Sequence, residues 1–134
     1  MLKKLFVPAA AALLAVCGLT GCGKYPSGYY AVGFVHSNSS DSADMSFYYF
    51  DGTISYKLSP EGRTGRLTCS GSLEQGDLTV YYDCGKGKTR WAELSSGGEV
   101  SLSEAIPETD ELYIIVETNG KCSNGELSFK EDAE

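Results

Sequence analysis

Turn-forming residues recur about every ten residues along most of this chain, and this spacing constrains the fold more than any other feature. The runs between the turns are rich in Tyr, Val, Thr and Ser, which favour strands. After residue 27 no long stretch has the apolar period of an amphipathic helix. The pattern predicts about eight or nine short strands between residues 28 and 130. Such strands bury their apolar sides by packing face to face or by closure. We therefore predict an all-β fold, a single antiparallel β-sandwich of jelly-roll-like or immunoglobulin-like type.

Asp51-Gly52 gives the clearest local prediction. It lies between two alternating runs, residues 46–50 and 53–58, and Asp-Gly in this setting is typical of a two-residue type I′ hairpin turn. That register divides the two runs into a core-facing set and an outward-facing set. The core-facing set is Met45, Phe47, Tyr49, Ile54, Tyr56 and Leu58, and the outward-facing set includes Tyr48 and Phe50.

A second hairpin is predicted from residues 66–73 to residues 78–84, across the turn formed by residues 74–77. Residues 111–118 have apolar side chains on both sides of a strand, which is typical of a central strand. The last residues, 131–134, are expected to be a frayed acidic tail. The other predicted segments are strands at 29–36, 89–94, 99–103 and 126–130, and a polar connection at 106–110.

The first 21 residues have the pattern of a secretory signal peptide. Lys3 and Lys4 precede a run rich in alanine and leucine, and small residues follow it. The run is too short to span about 30 Å of hydrocarbon as a permanent helix. Pro8 lies inside it, and proline disfavours a helix interior. We therefore expect residues 1–21 to be removed during secretion.

The end of this segment, Leu19-Thr20-Gly21-Cys22, resembles the lipobox of bacterial lipoproteins. The resemblance implies cleavage before Cys22, a diacylglycerol on its sulfur, and a further acyl chain such as palmitate on its amino group. Two or three chains make a stable membrane anchor, whereas one is marginal. Residues 22–27 would then be a short tether to a domain at 28–130. The implied location is extracytoplasmic, on the cell membrane or the outer membrane. A plain secreted protein is the alternative.

The charge of the mature chain limits the classes of partner. Removing residues 1–21 takes away two of the eleven basic side chains and none of the eighteen acidic ones, which leaves a formal charge of −9. Such a charge disfavours nucleic acid, whose phosphates need basic side chains. It favours cationic partners or metal ions.

Three of the five cysteines remain available after processing. Cys17 leaves with the signal peptide and Cys22 carries the lipid. Cys69 alternates with leucines and is expected to pack as a small apolar residue. Cys84 and Cys122 each lie where a strand enters a glycine-rich turn, and we predict a disulfide between them. A Cys69–Cys84 bridge is the alternative if the second hairpin has a shifted register.

Few residues could carry catalysis. His36 is the only histidine, no Gly-x-Ser-x-Gly elbow accompanies it, and a solvated loop position is the favoured interpretation. A zinc site is excluded because the chain lacks enough histidines and has no Cys-x-x-Cys pair. Calcium has candidate oxygen ligands at residues 41–44 and 108–111, but neither segment matches an EF-hand and solvated loops are favoured. We expect no enzyme, no cofactor and no metal.

The chain has nine tyrosines, five phenylalanines and one tryptophan, and most of them should lie in the core. Tyr48, Phe50, Tyr81 and Trp91 are the candidates for an outward-facing patch. If they cluster on one face of a sheet, they would stack on a sugar or contact a protein partner. Burial of that face by another sheet or loop is the alternative.

From about Gly65 to Phe129, the strands run in an order that includes Leu112-Tyr113-Ile114-Ile115-Val116 and ends in Gly125-Glu126-Leu127-Ser128-Phe129. This order resembles the jelly-roll-like sandwiches of small bacterial surface lipoproteins. It is also similar to the sandwich domains appended to secreted peptidases. The resemblance implies a fold and carries no catalytic residues with it.

These features together predict a membrane-anchored extracytoplasmic lipoprotein that acts as a non-catalytic binding or accessory module for a protein or glycan. The first alternative is an inhibitor of a basic envelope-attacking enzyme such as a lysozyme, since a charge of −9 would attract a cationic target. The chain lacks the Ser-Gly-x-x-Tyr loop of one family of such inhibitors. The second alternative is an envelope hydrolase that uses paired carboxylates.

Overall fold

The computed structural model of the protein describes residues 24–60, 63–109 and 111–133. The predicted signal peptide and Cys22 therefore lie outside the described residues. The described residues form nine strands and no helix. The strands are β1 Gly28–Val32, β2 Val35–Asn38, β3 Ser42–Leu58, β4 Arg63–Gln75, β5 Leu78–Asp83, β6 Thr89–Leu94, β7 Gly98–Thr109, β8 Leu112–Thr118 and β9 Cys122–Ala133. Within these ranges no helix has the length and apolarity needed to cross a bilayer.

All strand pairs are antiparallel, and the main path of the nearly closed sheet is β6-β5-β8-β3-β9-β4-β7. The long strand β3 divides it into two layers, because residues 42–50 pair with β9 and residues 53–58 pair with β8. The front sheet consists of β2, the first half of β3, β9, β4 and β7. The back sheet consists of β6, β5, β8 and the second half of β3, with β1 beside the middle of β3. The prediction of an all-β antiparallel sandwich is confirmed.

One apolar core lies between the two layers. Both sheets contribute alternate side chains to it, including Cys69 and Phe129 from the front sheet and Val80 from the back sheet. Residues 112–116 of β8 are buried on both sides, so the prediction of a central strand is confirmed. Full burial of a leucine or phenylalanine side chain contributes roughly 1.5–3 kcal/mol. The core therefore supplies most of the energy that holds the layers together.

The predicted hairpin at Asp51-Gly52 is wrong, because β3 continues through both residues. Gly52 has φ 139°, and a Cβ at this position would lie 2.4 Å from the carbonyl oxygen of Gly28 in β1. The glycine thus permits a close approach of two strands rather than a turn. The side of β3 that faces the core changes just before this glycine, at residues 48–49. Phe47 and the alternate residues before it are buried, and so are Phe50 and most of the alternate residues after it.

This change of side corrects two more predictions. Phe50 is fully buried, where it stacks on Tyr29 with ring centroids 5.0 Å apart, and so it does not face outward. Tyr49 is only half-buried and packs edge-on against Tyr30 at 5.6 Å. The apolar alternation of the sequence is present on both sides of Asp51-Gly52, but it belongs to one strand that passes from one sheet to the other.

The predicted second hairpin is also wrong, although both of its strands exist. β4 pairs with β9 and β7, whereas β5 pairs with β6 and β8. The turn at residues 76–77 therefore carries the chain between the layers. Residues 106–109 continue β7 instead of forming a polar connection, and Ile106 is buried. The acidic end is not frayed up to Ala133, because β9 extends that far and buries Glu131. The strand predicted at 89–94 is confirmed as β6.

Candidate functional site

A groove of about 630 Å³ lies on the outer face of the front sheet. Alternation along the strands turns polar residues outward here, while their neighbours enter the core. Two ladder rows cross all five strands on this side, and we call them the groove face. In order β2-β3-β9-β4-β7, the first row is Val35, Ser46, Glu126, Ser72 and Glu99, and the second row is Ser37, Asp44, Ser128, Ser70 and Ser101.

Serines form most of the groove floor, and their small side chains leave the space that a ligand would occupy. Asp44 accepts hydrogen bonds from Ser128 Oγ at 2.5 Å and from Ser37 Oγ at 3.4 Å. Glu99 and Glu126 have neither an ion pair nor a side-chain hydrogen bond within the described part of the chain. The groove face therefore offers hydroxyl groups and unpaired carboxylates to a ligand.

Tyr48 is the one predicted aromatic residue that borders this groove. Its side chain is 65% exposed, and it shares a smaller adjoining cavity of about 360 Å³ with Ser46, Ser72 and Glu126. The sequence did not single out the exposed Val35, which lies on the same side of the sheet. Alternation alone could not show that Val35 is exposed beside the groove, because its exposure depends on β2 being an edge strand.

The other aromatic candidates lie elsewhere. Phe50 is in the core. Tyr81 on β5 lies beneath Lys88, whose Nζ is 4.3 Å from the ring centroid. Trp91 on β6 packs edge-on against Tyr82, with centroids 5.6 Å apart, and contacts the core. The described ring contacts join none of the four predicted residues to each other, so they do not form a common aromatic patch.

The predicted Cys84–Cys122 disulfide is absent, and all three cysteines after Cys22 are free thiols. Cys122 packs near the start of β5, where its thiol donates to the carbonyl of Asp77, whereas Cys84 follows the far end of β5. These positions are separated by the length of β5, about 16 Å, which no disulfide can span. Burial raises the pKa of Cys69 to about 12 and also raises the pKa of Cys122. Cys69 packs in the core as expected.

A second polar site, which sequence analysis missed, surrounds the buried carboxylate of Asp83. It accepts hydrogen bonds from Tyr25 Oη at 2.7 Å, from the amide of Gly85 at 2.8 Å and from the amide of Gly87 at 3.1 Å. Lys24 Nζ lies 2.9 Å from the same carboxylate. Burial alone would raise the pKa of Asp83, but these donors outweigh burial and hold it well below its usual range. An aspartate directly before a glycine-rich turn was the available signal.

The Asp83 site fastens the described part of the predicted tether, residues 24–27, to the domain. Tyr25 also packs edge-on against Tyr113, with centroids 5.4 Å apart. Its carbonyl accepts from Ser55 Oγ at 2.5 Å, and Ser27 Oγ accepts from the Ser55 amide at 2.9 Å. We call residues 24–27 the strap. The strap is held to the back sheet at every described residue except Pro26.

His36 does not have the surroundings of a catalytic base. It lies in edge strand β2 rather than in a loop, with its ring stacked on Phe34 at 4.5 Å. Partial burial lowers the pKa of His36. No side-chain hydrogen bond in the described ranges joins it to a nucleophile or a carboxylate. The same ranges contain no cluster of three or more His, Cys, Asp or Glu side chains placed to hold a metal ion.

No family model and no curated protein matches the sequence. Several solved structures are similar to the chain. TmCBM61, solved in complex with β-1,4-galactotriose, is 13% identical with a TM-score of 0.46, over 81% of this chain and 70% of its own. PliG of Aeromonas hydrophila, a periplasmic inhibitor of g-type lysozyme, is 14% identical with a TM-score of 0.48, over 70% and 89%. The pre-peptidase C-terminal domain of collagenase from Bacillus anthracis is 14% identical with a TM-score of 0.45, over 72% and 91%. These values assign no ligand to this chain.

Proposed function

We propose that this protein is a non-catalytic binding module, held by lipid at Cys22 on the outer side of a bacterial membrane, and that the groove face is its binding face. The observation that supports this most is the groove itself, about 630 Å³ in volume and lined by hydroxyl groups and unpaired carboxylates. In binding sites of this volume, a small number of polar groups usually orients the ligand and determines specificity. The ligand is a protein or a glycan.

Asp83 and His36, two polar groups that could perform chemistry, are occupied and isolated, respectively. Four donors saturate the carboxylate of Asp83, so it holds no free lone pair aimed at a substrate. The ring of His36 stacks on Phe34 at the sheet edge. General acid–base catalysis needs a titrating group within hydrogen-bond reach of the substrate. Both observations favour binding over catalysis.

The proposed membrane location rests on the lipobox-like Leu19-Thr20-Gly21-Cys22. Two or more acyl chains on Cys22 would hold the chain stably. Fractionation of cells that express the full-length chain tests this location. We expect the protein in the membrane fraction and its Cys22→Ser variant outside it. Equal membrane association of both would contradict the anchor.

Capture of a partner from envelope extracts tests the binding face. The bait is the full mature chain with Cys22→Ser. A second bait carries Ser72→Trp in addition, and its indole fills the centre of the groove. Thr79→Trp is the matched control, because Thr79 lies half-exposed on the outer side of β5 in the back sheet. We expect the partner to be recovered with the unmodified bait and with Thr79→Trp, and to be lost with Ser72→Trp. Recovery by all three folded baits would contradict the assignment of this face.

A further inference from the structure

One half of the outer face of the front sheet is acidic with no compensating base. Its four carboxylates come one from each of four adjacent strands, and they are Asp44 on β3, Glu126 on β9, Glu74 on β4 and Glu99 on β7. The two rows of the groove face and the neighbouring row with Tyr48 contain no lysine or arginine. Arg66 and Lys130 lie in the rows beyond, toward the other end of the strands. We call this region, with Val35 and Tyr48, the acidic half.

The chain itself does not neutralise these four charges. Glu74 accepts a hydrogen bond from the neutral amide of Asn124, and Asp44 accepts from the hydroxyl groups of Ser37 and Ser128. Glu99 and Glu126 have no side-chain partner among the described residues. Four carboxylates on one face without a base among them give this face a negative potential, which attracts a cationic partner.

Exposed apolar groups accompany the carboxylates. Val35 and Tyr48 are 69% and 65% exposed, and they lie in the same rows. Protein interfaces combine aromatic or apolar anchors with complementary charges, and an arginine can also stack on a tyrosine ring. A neutral glycan would leave the four carboxylates without a counter-charge. A small cation would leave Val35 and Tyr48 without a contact.

The acidic half also lies on the other sheet from the strap. The strap reaches Asp83, which pairs with Tyr113 at one end of the back sheet. At this same end, the amide of Ser59 donates to the carbonyl of Ser40 just before β3 begins. From Ser42 the groove face starts two residues further along β3 and leads away from that end. The strap therefore leaves the acidic half uncovered.

We propose that the acidic half is a docking surface for a basic protein, whose lysine and arginine side chains pair with Asp44, Glu74, Glu99 and Glu126. The inference rests on the proposed binding face and names its partner class. An extracytoplasmic enzyme that attacks the envelope and carries a positive surface is one protein of this chemistry. Binding of this kind weakens as salt screens the charges.

Two double variants with equal net charge test the proposal. Glu99→Gln with Glu126→Gln removes two carboxylates from the acidic half. Glu93→Gln with Glu108→Gln removes two exposed carboxylates elsewhere, on β6 and β7. Each is made in the mature chain with Cys22→Ser, and its fold is checked by circular dichroism. The probes are hen egg-white lysozyme as a basic protein and cellohexaose as a neutral glycan, measured by calorimetry at low and at physiological salt.

We expect lysozyme to bind the unmodified chain and the Glu93/Glu108 variant alike, and the Glu99/Glu126 variant about tenfold more weakly. Equal affinity of lysozyme for both double variants would overturn the docking surface, since net charge alone would then account for binding. Cellohexaose binding that Ser72→Trp abolishes, without lysozyme binding, would overturn the basic partner but keep the binding face. If neither probe binds, the proposal of a basic protein partner is overturned. The capture experiment with Ser72→Trp would then still test whether the groove face is the binding face.

Discussion

Asp83 is a buried charge that the fold satisfies completely. Its carboxylate lies at the end of β5 and is 1% exposed, yet two backbone amides, a phenol and an ammonium group surround it. Hydrogen bonds to a charged group contribute more than neutral ones, about 1.5–3 kcal/mol. The exposed Lys24 adds little to this, because solvent screens its charge. Asp83 thus connects the strap to the glycine-rich turn after β5.

Replacing Asp83 with Asn should destabilise the domain in a pH-dependent way. Because the pKa of Asp83 is lowered by folding, its ionised form stabilises the fold at every pH above the usual carboxyl range. This stabilisation is lost as the pH falls below about 4 toward the lowered pKa. Urea unfolding at pH 7 should show a loss of about 1.5–3 kcal/mol for Asp83→Asn, and a smaller difference from the unmodified protein at pH 3.

The exposed Asp51 provides the control for this measurement. Asp51→Asn should change the free energy of unfolding by less than about 0.5 kcal/mol at either pH, since surface substitutions usually do. If Asp51→Asn and Asp83→Asn unfold at the same urea concentration, the Asp83 site does not hold the strap.

Strand β3 decides the architecture at the scale of elements. It pairs with β9 along its first half and with β8 along its second, so it belongs to both sheets. Gly52 makes this path feasible, because β1 crosses close beside it and the Gly52 amide donates to Thr118 Oγ1 at 2.8 Å. A side chain at this position would push β1 away from β3.

Substitution of Gly52 tests whether β3 is continuous at this residue or forms a hairpin turn. Asparagine is tolerated in the second position of a type I′ turn, but here its Cβ would clash with the backbone of β1. We expect Gly52→Asn to lower the free energy of unfolding by about 2–4 kcal/mol in chemical denaturation. Gly97→Asn is the control, because Gly97 also has a positive φ, of 79°, and a Cβ there would have open space. Equal, small losses at both positions would contradict the path of β3.

The sequence was sufficient to predict strands but not their partners. Alternation identified β6 with its observed bounds and β8 as a central strand, since side chains on successive residues face opposite sides. The hairpin predicted at Asp51-Gly52 was wrong because the pairing of β1 with β3 outweighs the local turn preference of these two residues. That pairing joins residues more than fifteen positions apart, so the local sequence does not show it. The serines and glutamates of the groove face form no motif in the sequence that would predict a binding site. Their alignment depends on four strand pairings, and only one of these, β2 with β3, joins strands that follow each other directly in the sequence.

At the scale of the whole molecule, the strap lies on the back sheet and the acidic half lies on the outer face of the front sheet. The strap places the described domain directly after Gly23, so an anchored Cys22 would hold it close to the bilayer. The groove face carries carboxylates that form no ion pair within the described residues. The molecule thus combines a strap on the back sheet with a charged face on the front sheet that is suited to contact with a partner.

Carboxyl footprinting of the mature chain, alone and bound to its captured partner, tests the binding face most directly. A carbodiimide couples an amine to exposed carboxylates, and mass spectrometry locates the labels. We predict that the partner protects Glu99 and Glu126 from labelling and leaves Glu93 and Glu108 unchanged. Protection of Glu93 or Glu108 with Glu99 and Glu126 still labelled would contradict the groove face as the site of binding.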